Sequence, residues 1–339
     1  MVEQTVRSEP ASASESTAAA AAPKRRGPGL TPYLFLTPYA VLFFTFVLLP
    51  AVYGVWISLH DWDYLLPGKP FVGLDNYQAL FDSQSRVFGF FWQSMQATGI
   101  FTLLSVPLLV VAPLGIALLI NRSFPGRTFF RAVYFAPYVL GVAVIGVLWR
   151  FLLDPNLGAV NALLGAIGLP ADTPWTTSLP WAWISLVMVT VWWTLGFNAV
   201  IYLAGLQDIP RELYEAARID GGGMWAEFRH VTLPGLRPVL LFVVINTVLA
   251  SSNMFGQAYL ITQGAPGNET RTAIMYIAQE GLRDYRMGSA AAMSYVLTLF
   301  LILLSLAVFW LFRDRQTSRK QKAGAPVQAA PMALRQGRG

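Results

Sequence analysis

Two polar sets stand inside otherwise apolar sequence. The first is Asn246, Thr247, Ser251, Ser252, Asn253 and Gln257. At about 100° per residue, Asn246, Asn253 and Gln257 fall within about 40° of one another on a helix. Each amide both donates and accepts, which suits sugar hydroxyls. The same groups also bond neighbouring helices inside a membrane, and the stripe alone leaves both roles open. The second set is Trp192, Trp193, Gly196, Phe197 and Asn198. Aromatic rings stack on the apolar face of a sugar while amides hold its rim, or they simply pack.

Much chemistry is missing. The chain has no cysteine, so disulfides, thiolate metal sites and cysteine nucleophiles are excluded. His60 and His230 lie far apart, and no ligand-spaced cluster surrounds either. The phosphate-cradling pattern G-x-x-x-x-G-K-[ST] is absent. Nothing forms a catalytic triad. The reading is no enzyme, no cofactor and no metal.

The elements that must position these residues are membrane helices. Of 339 residues 55% are hydrophobic and 12% charged, with mean hydropathy +0.50. A soluble domain carries roughly 25% charged residues. Six apolar runs reach the ~20 residues that a bilayer needs: about Leu34–Ser58, Ala97–Ile120, Ala132–Leu153, Trp181–Leu203, Val239–Thr262 and Gly288–Phe312. Pro107, Pro113 and Pro137 fall inside runs, which is tolerated where neighbours re-satisfy the freed carbonyls. No charged residue sits mid-run, which disfavours a proton-driven carrier. Sodium coupling through carbonyls and hydroxyls stays open.

With the N-terminus inside, 18 of the 24 Lys and Arg fall on the cytoplasmic side. That bias predicts both termini in the cytoplasm. The expected fold is all-α and polytopic, with six transmembrane helices over 31–312. It is flanked by a disordered tail over 1–30 and a basic tail over 313–339. The basic residues after the last run meet anionic headgroups rather than nucleic acid.

The segment from Gln207 to Gly221 predicts a short helix. Asp208 is the expected N-cap, Pro210 belongs in the first turn, and Gly221-Gly222-Gly223 give a stop. Ile209, Leu213 and Ala216 share one face. A helix this short is marginal alone and must pack on something. A cytoplasmic partner and the protein's own loops both qualify.

Glu215-Ala216-Ala217, three residues, Gly221, nine residues, then Val231-Thr232-Leu233-Pro234 resembles the E-A-A-x3-G-x9-I-x-L-P loop of bacterial ABC importer permeases. Val231 replaces the usual Ile, and Gly222 replaces the usual Ala. Val72-Gly73-Leu74-Asp75-Asn76-Tyr77, Gly126–Arg131 with Pro137, Leu260–Asn268 and Gly288–Ala292 resemble segments of the maltose-type, first-permease branch. The likeness covers about residues 32–312. It implies an inner-membrane permease subunit without ATPase activity of its own. It implies two copies of an ATP-binding subunit, a second homologous permease and an extracytoplasmic solute-binding protein as partners. Glu212, Glu215, Ala216, Ala217, Asp220, Gly221, Leu233 and Pro234, within a coupling loop over 205–237, would meet the ATPase. Trp192, Leu195, Gly196, Asn198, Asn246, Asn253 and Gln257 would line the substrate pathway, with carbohydrate as cargo. Trp192 stands where the maltose permease has Asn. Trp175, in the external loop 154–180, would touch the binding protein or sit in the interfacial belt. A self-sufficient carrier or channel is the rival reading, and a non-transporting scaffold a third.

Overall fold

The computed structural model describes residues 31–122 and 124–323. The tail expected over 1–30, and the end of the chain after 323, lie outside the described residues. The chain divides into two compact units, Met1–Val52 and Tyr53–Gly339. Regular structure among the described residues is helical, with only isolated bridges, such as His60 with Phe71.

The described part of the first unit is one apolar helical run. Helix α1 (Thr31–Phe43) passes through π-helical turns at Phe44–Leu48 into α2 (Leu49–Ser58). Phe35, Phe46 and Leu49 are exposed, as expected of a helix whose solvent is lipid.

The second unit holds α3 (Asp75–Gln78), α4 (Arg86–Asn121), α5 (Arg127–Val139), α6 (Val142–Leu152), α7 (Ala159–Ala166) and α8 (Trp181–Gln207). Then come α9 (Arg211–Ile219), α10 (Met224–Glu227), π-helical turns at Phe228–Thr232, α11 (Leu233–Gly235) and α12 (Arg237–Ser252). After π-helical turns at Ala258–Thr262 follow α13 (Ala273–Ala278), a further π-helical stretch at Gln279–Arg283 and α14 (Met287–Ala323).

Among the described residues four helices are long and apolar enough to cross a bilayer: Tyr33–Ser58, Arg86–Asn121, Trp181–Gln207 and Met287–Leu311. Two bent pairs bring the number to six if each counts as one span. These are α5 with α6, at 96°, and Met224–Gly235 with α12, at 69°. The continuous third run expected over Ala132–Leu153 is therefore broken at Leu140–Gly141. Pro137 lacks the N–H that would bond the turn before it, and Gly141 starts α6 in extended conformation.

The fifth run departs further. It ends as regular helix at Ser252. Asn253 leaves helical geometry at φ −97°, ψ 16°, and its side-chain amide donates to the Leu249 carbonyl at 2.8 Å. The single stripe drawn through Asn246, Asn253 and Gln257 does not survive as a helix face. Asn competes for its own backbone, which favours a helix end at such a residue.

Helix α4 is the axis of the second unit. Its Phe91 and Met95 join one core with Tyr276, Met293 and Leu297. Phe101 joins a second with Ile145, Leu186 and Ile261. Leu114, Ala117 and Ile120 join a third with Tyr202, Leu206 and Leu236. At 1.5 Å per residue its 36 residues span about 54 Å, beyond the ~30 Å hydrocarbon core. Its N-terminal end is tied by Arg86 to the fully buried Glu280.

Polar groups fasten α4 to its neighbours. Ser105 donates to Ser251 at 3.1 Å, and Thr102 meets Ser252 at 3.2 Å. Pro113 has no N–H, which frees the Leu109 carbonyl four residues back. The Asn198 amide on α8 donates to that carbonyl at 3.1 Å. Helix α5 closes on α8 at Gly196, where an added Cβ would stand 2.2 Å from the Tyr134 carbonyl oxygen. Gly196→Val is therefore expected to cost about 1–3 kcal/mol through overpacking against backbone that cannot rotate away. Thermal unfolding of the purified assembly would show a lowered midpoint, and an unchanged one would contradict this packing.

Candidate functional site

Helix α9 is held at both ends by local chemistry. Its N-cap position is Pro210, and Asp208 instead closes α8. This corrects the cap read from sequence. Pro210 is extended, as an N-cap residue is, and a proline there sacrifices no helical bond. At the other end Asp220 is the C-cap and Gly221 sits at φ +79°. The Gly222 N–H donates to Ala217 O at 2.8 Å and the Gly221 N–H to Arg218 O at 3.0 Å, the paired bonds of a left-handed helix stop. A Cβ on Gly222 would meet Ala217 O at 2.6 Å, so Gly222 tightens this closure rather than loosening it.

The inward face of α9 is Tyr214 and Ala217, which leaves Leu213 and Ala216 on the open side. Ile209 is buried, while Glu212, Leu213, Glu215, Ala216, Ile219 and Asp220 are exposed. Tyr214 reaches Thr232 at 3.1 Å between hydroxyl oxygens, and Arg218 pairs with Glu227 at 2.8 Å. That bond pushes the Arg218 guanidinium further above its usual range. Gly235 lies against Ile209. Leu233 and Pro234 form the single turn of α11, one residue before α12 begins. The outward face thus carries Glu212, Glu215 and the small Ala216 between Leu213 and Ile219, the latter 87% exposed. A polar cavity of about 810 Å³ opens behind it, between α9, α10 and the end of α4.

A second cavity, of about 350 Å³, lies among α4, α5, α8 and α12. Four of the sequence-predicted pathway residues line it together: Asn198, Asn246, Asn253 and Gln257. The break after Ser252 does not scatter them, because the chain folds back along the same space. Tyr138, Trp193, Thr194 and Phe197 complete the wall. Tyr138 and Phe197 stack with centroids 4.6 Å apart. Tyr138 and Thr194 were not picked out from sequence. Thr194 was legible as the residue four before Asn198 on the same helix face. Tyr138 reaches the cavity only because α5 bends away from α6.

The polar residues of α12 divide by role. Ser251 and Ser252 are used up in bonds to α4. The amides of Asn246 and Gln257 make no side-chain hydrogen bond among the described residues, and both face the cavity. Trp192, Leu195 and Gly196 are not brought here. Trp192 and Leu195 line an apolar cavity of about 870 Å³ beside Pro137, on the adjacent face of α8, and Trp192 packs edge-on to Trp149 at 5.4 Å. Gly196 is at the α5 contact.

Trp193 has a further task. Its indole N–H donates to the Leu140 carbonyl, at the break between α5 and α6, at 3.1 Å. Trp193→Phe keeps the ring but loses that bond, worth about 1 kcal/mol. A fall in Tm of roughly 2–4 °C is expected by scanning calorimetry, and no fall would mean that the break needs no cap.

Trp175 is half-buried. Its indole donates to Asn161 at 2.8 Å and its ring meets Trp181 edge-on at 5.1 Å.

These features agree with known proteins. Residues 80–313 match the family described as binding-protein-dependent transport system inner membrane component. The chain is 34% identical over 281 residues to the trehalose/maltose transport system permease protein MalF of Thermococcus litoralis, covering 82% of this chain and 92% of that one. It is 31% identical to the arabinooligosaccharides transport system permease protein AraP of Bacillus subtilis, covering 81% and 86%. Its fold is similar to a chain in the crystal structure of a bacterial alginate ABC transporter in complex with an alginate pentasaccharide-bound periplasmic protein. There the TM-score is 0.71 at 22% identity, over 85% of this chain and 95% of that one. With the family model spanning most of the chain, this protein belongs to the inner-membrane components of binding-protein-dependent ABC transport systems.

Proposed function

We propose that this permease carries a carbohydrate, by way of the cavity lined by Asn198, Asn246, Asn253 and Gln257. One observation carries the reading: the unpaired amides of Asn246 and Gln257 face a space walled by Tyr138, Trp193 and Phe197. Amides match hydroxyl rims and rings match the C–H faces of pyranoses. The sugar permeases named among its relatives support the same cargo class.

In this reading the chain supplies half of the pathway, and a second homologous permease supplies the rest. Of two copies of an ATP-binding subunit, one grips the outward face of α9 at Glu212, Glu215 and Ala216 from the cytoplasm, where both termini also lie, and the other grips the second permease. A solute-binding protein delivers sugar from outside. The test is uptake by proteoliposomes holding both permeases and the ATPase. Sugar should enter only with ATP and the binding protein both present. Uptake by this chain alone, without ATP, would establish the self-sufficient carrier instead.

A further inference from the structure

Helix α7 has an apolar stripe on its wrong side. Ala159, Ala162, Leu163, Ala166 and Ile167 recur at the i, i+3, i+4, i+7, i+8 spacing that normally faces a core, yet all five are exposed. Leu163 is 68% and Ile167 72% exposed, and Leu157 and Leu169 beside them are also bare. The opposite face is the one that packs. Val160 lies against the core near Trp149 and Trp175. Asn161 is 3% exposed, donates to the Pro155 and Thr173 carbonyls at 3.0 Å each, and accepts from the Trp175 indole at 2.8 Å.

The stripe is also held rigidly. Asp154 accepts from the Asn156 and Leu157 N–H groups at 2.9 Å each, which fixes the turn that launches α7. Those two bonds hold its carboxyl below the usual carboxylate range. The turn therefore keeps its anionic acceptor at neutral pH and loses it only as pH falls through that lowered value.

We propose that α7 is an interfacial foot, with Leu157, Leu163 and Ile167 seated among the acyl chains just beneath the headgroups of the outer leaflet. Three observations select lipid as the occupant. Helix α7 joins the end of α6 to the start of α8, so it continues the apolar boundary of two spans. No charged residue occurs between Asp154 and Asp172, whereas a reversible protein contact carries a polar rim. Trp175 and Trp181 meet edge-on at the base of the loop, and indoles are enriched at membrane–water interfaces. Helices of this kind lie in the interface plane and bind through buried apolar area. The foot fixes the depth of the α6–α8 connection, and with it the outer rim of the cavity that α8 lines.

The inference rests on the outward placement of this loop, and the experiment separates the two. The chain is free of cysteine, so Leu163→Cys, Ile167→Cys and Asp172→Cys each give a unique spin-label site in the complete transporter, once its other subunits are made cysteine-free. In proteoliposomes, labels at 163 and 167 should collide with oxygen severalfold more than with a water-soluble nickel chelate. The label at the exposed Asp172 position should show the reverse. Nickel access at 163 and 167 equal to that at 172 would overturn the proposal. So would poor access to both reagents, since a protein would then cover the stripe. Loss of nickel access at 163 only on adding the binding protein would likewise assign the face to that partner. Labelling of Asp172→Cys in whole cells by an impermeant maleimide tests the outward placement separately. Its failure alongside strong oxygen access would retain the lipid contact and move it to the other leaflet.

Discussion

Replacing Gly221 with Val is expected to cut sugar uptake by an order of magnitude or more, while the protein still inserts and assembles. Gly221 holds φ +79°, which costs an L-residue about 1–2 kcal/mol, and a β-branched residue is the worst choice there. Relief requires losing the bonds from Gly221 and Gly222 into the last turn of α9. A penalty of that size shifts the closed helix end roughly tenfold toward open forms. The face bearing Glu215 and Ala216 then meets its partner in the wrong orientation. Glu215→Lys attacks the same contact by charge, leaving the backbone alone. For both variants ATP hydrolysis should persist while sugar transported per ATP falls. Because the altered groups are exposed, solubilised yield should stay near wild type. Full uptake by either variant would remove α9 from the coupling role.

The second large effect is on affinity. Asn246→Ala with Gln257→Ala should raise the KM for sugar uptake about tenfold, since two neutral hydrogen bonds are worth roughly 0.5–1.5 kcal/mol each. Neither amide is spent on the protein's own side chains, so stability should hardly change. Ser105→Ala is the contrasting control. It removes a bond between α4 and Ser251, and should lower thermal stability with KM intact. An unchanged KM in the double variant would send the pathway elsewhere.

Much of this was legible in the chain, because membrane insertion makes apolar length readable. The runs at Leu34, Trp181 and Gly288 became helices close to the expected bounds. The turns of the loop over 205–237 were legible because Gly221 and Pro234 mark fixed points of backbone. The fifth run misled because its break, at Asn253-Met254-Phe255, contains no proline or glycine to announce it. A tertiary bond adds to the pull of the Asn253 amide: the Met254 carbonyl accepts from the Thr272 hydroxyl at 2.7 Å, a partner far along the sequence. Helix α9 was placed correctly, but which of its faces turns inward was not legible. Tyr214 points inward for the sake of one hydroxyl bond to Thr232, and hydrophobic spacing cannot register that. Asn198 was read as a pathway amide, and one of its two N–H donors goes to the Leu109 carbonyl that Pro113 leaves free. No local pattern links a residue on one helix to a proline on another.

The 69° elbow between Met224–Gly235 and α12 gives the molecule a crankshaft. One arm is clamped to α9 through Arg218 and Thr232, and the other carries Asn246 about 14 Å further along, at 1.5 Å per residue. A swing of the first arm is expected to drag the sugar-facing amide through the same continuous backbone, with no joint between subunits to absorb the stroke. Spin labels on the exposed Trp225 position and on Ala250 should then move together through the ATP cycle, and independent movement would show that the elbow bends.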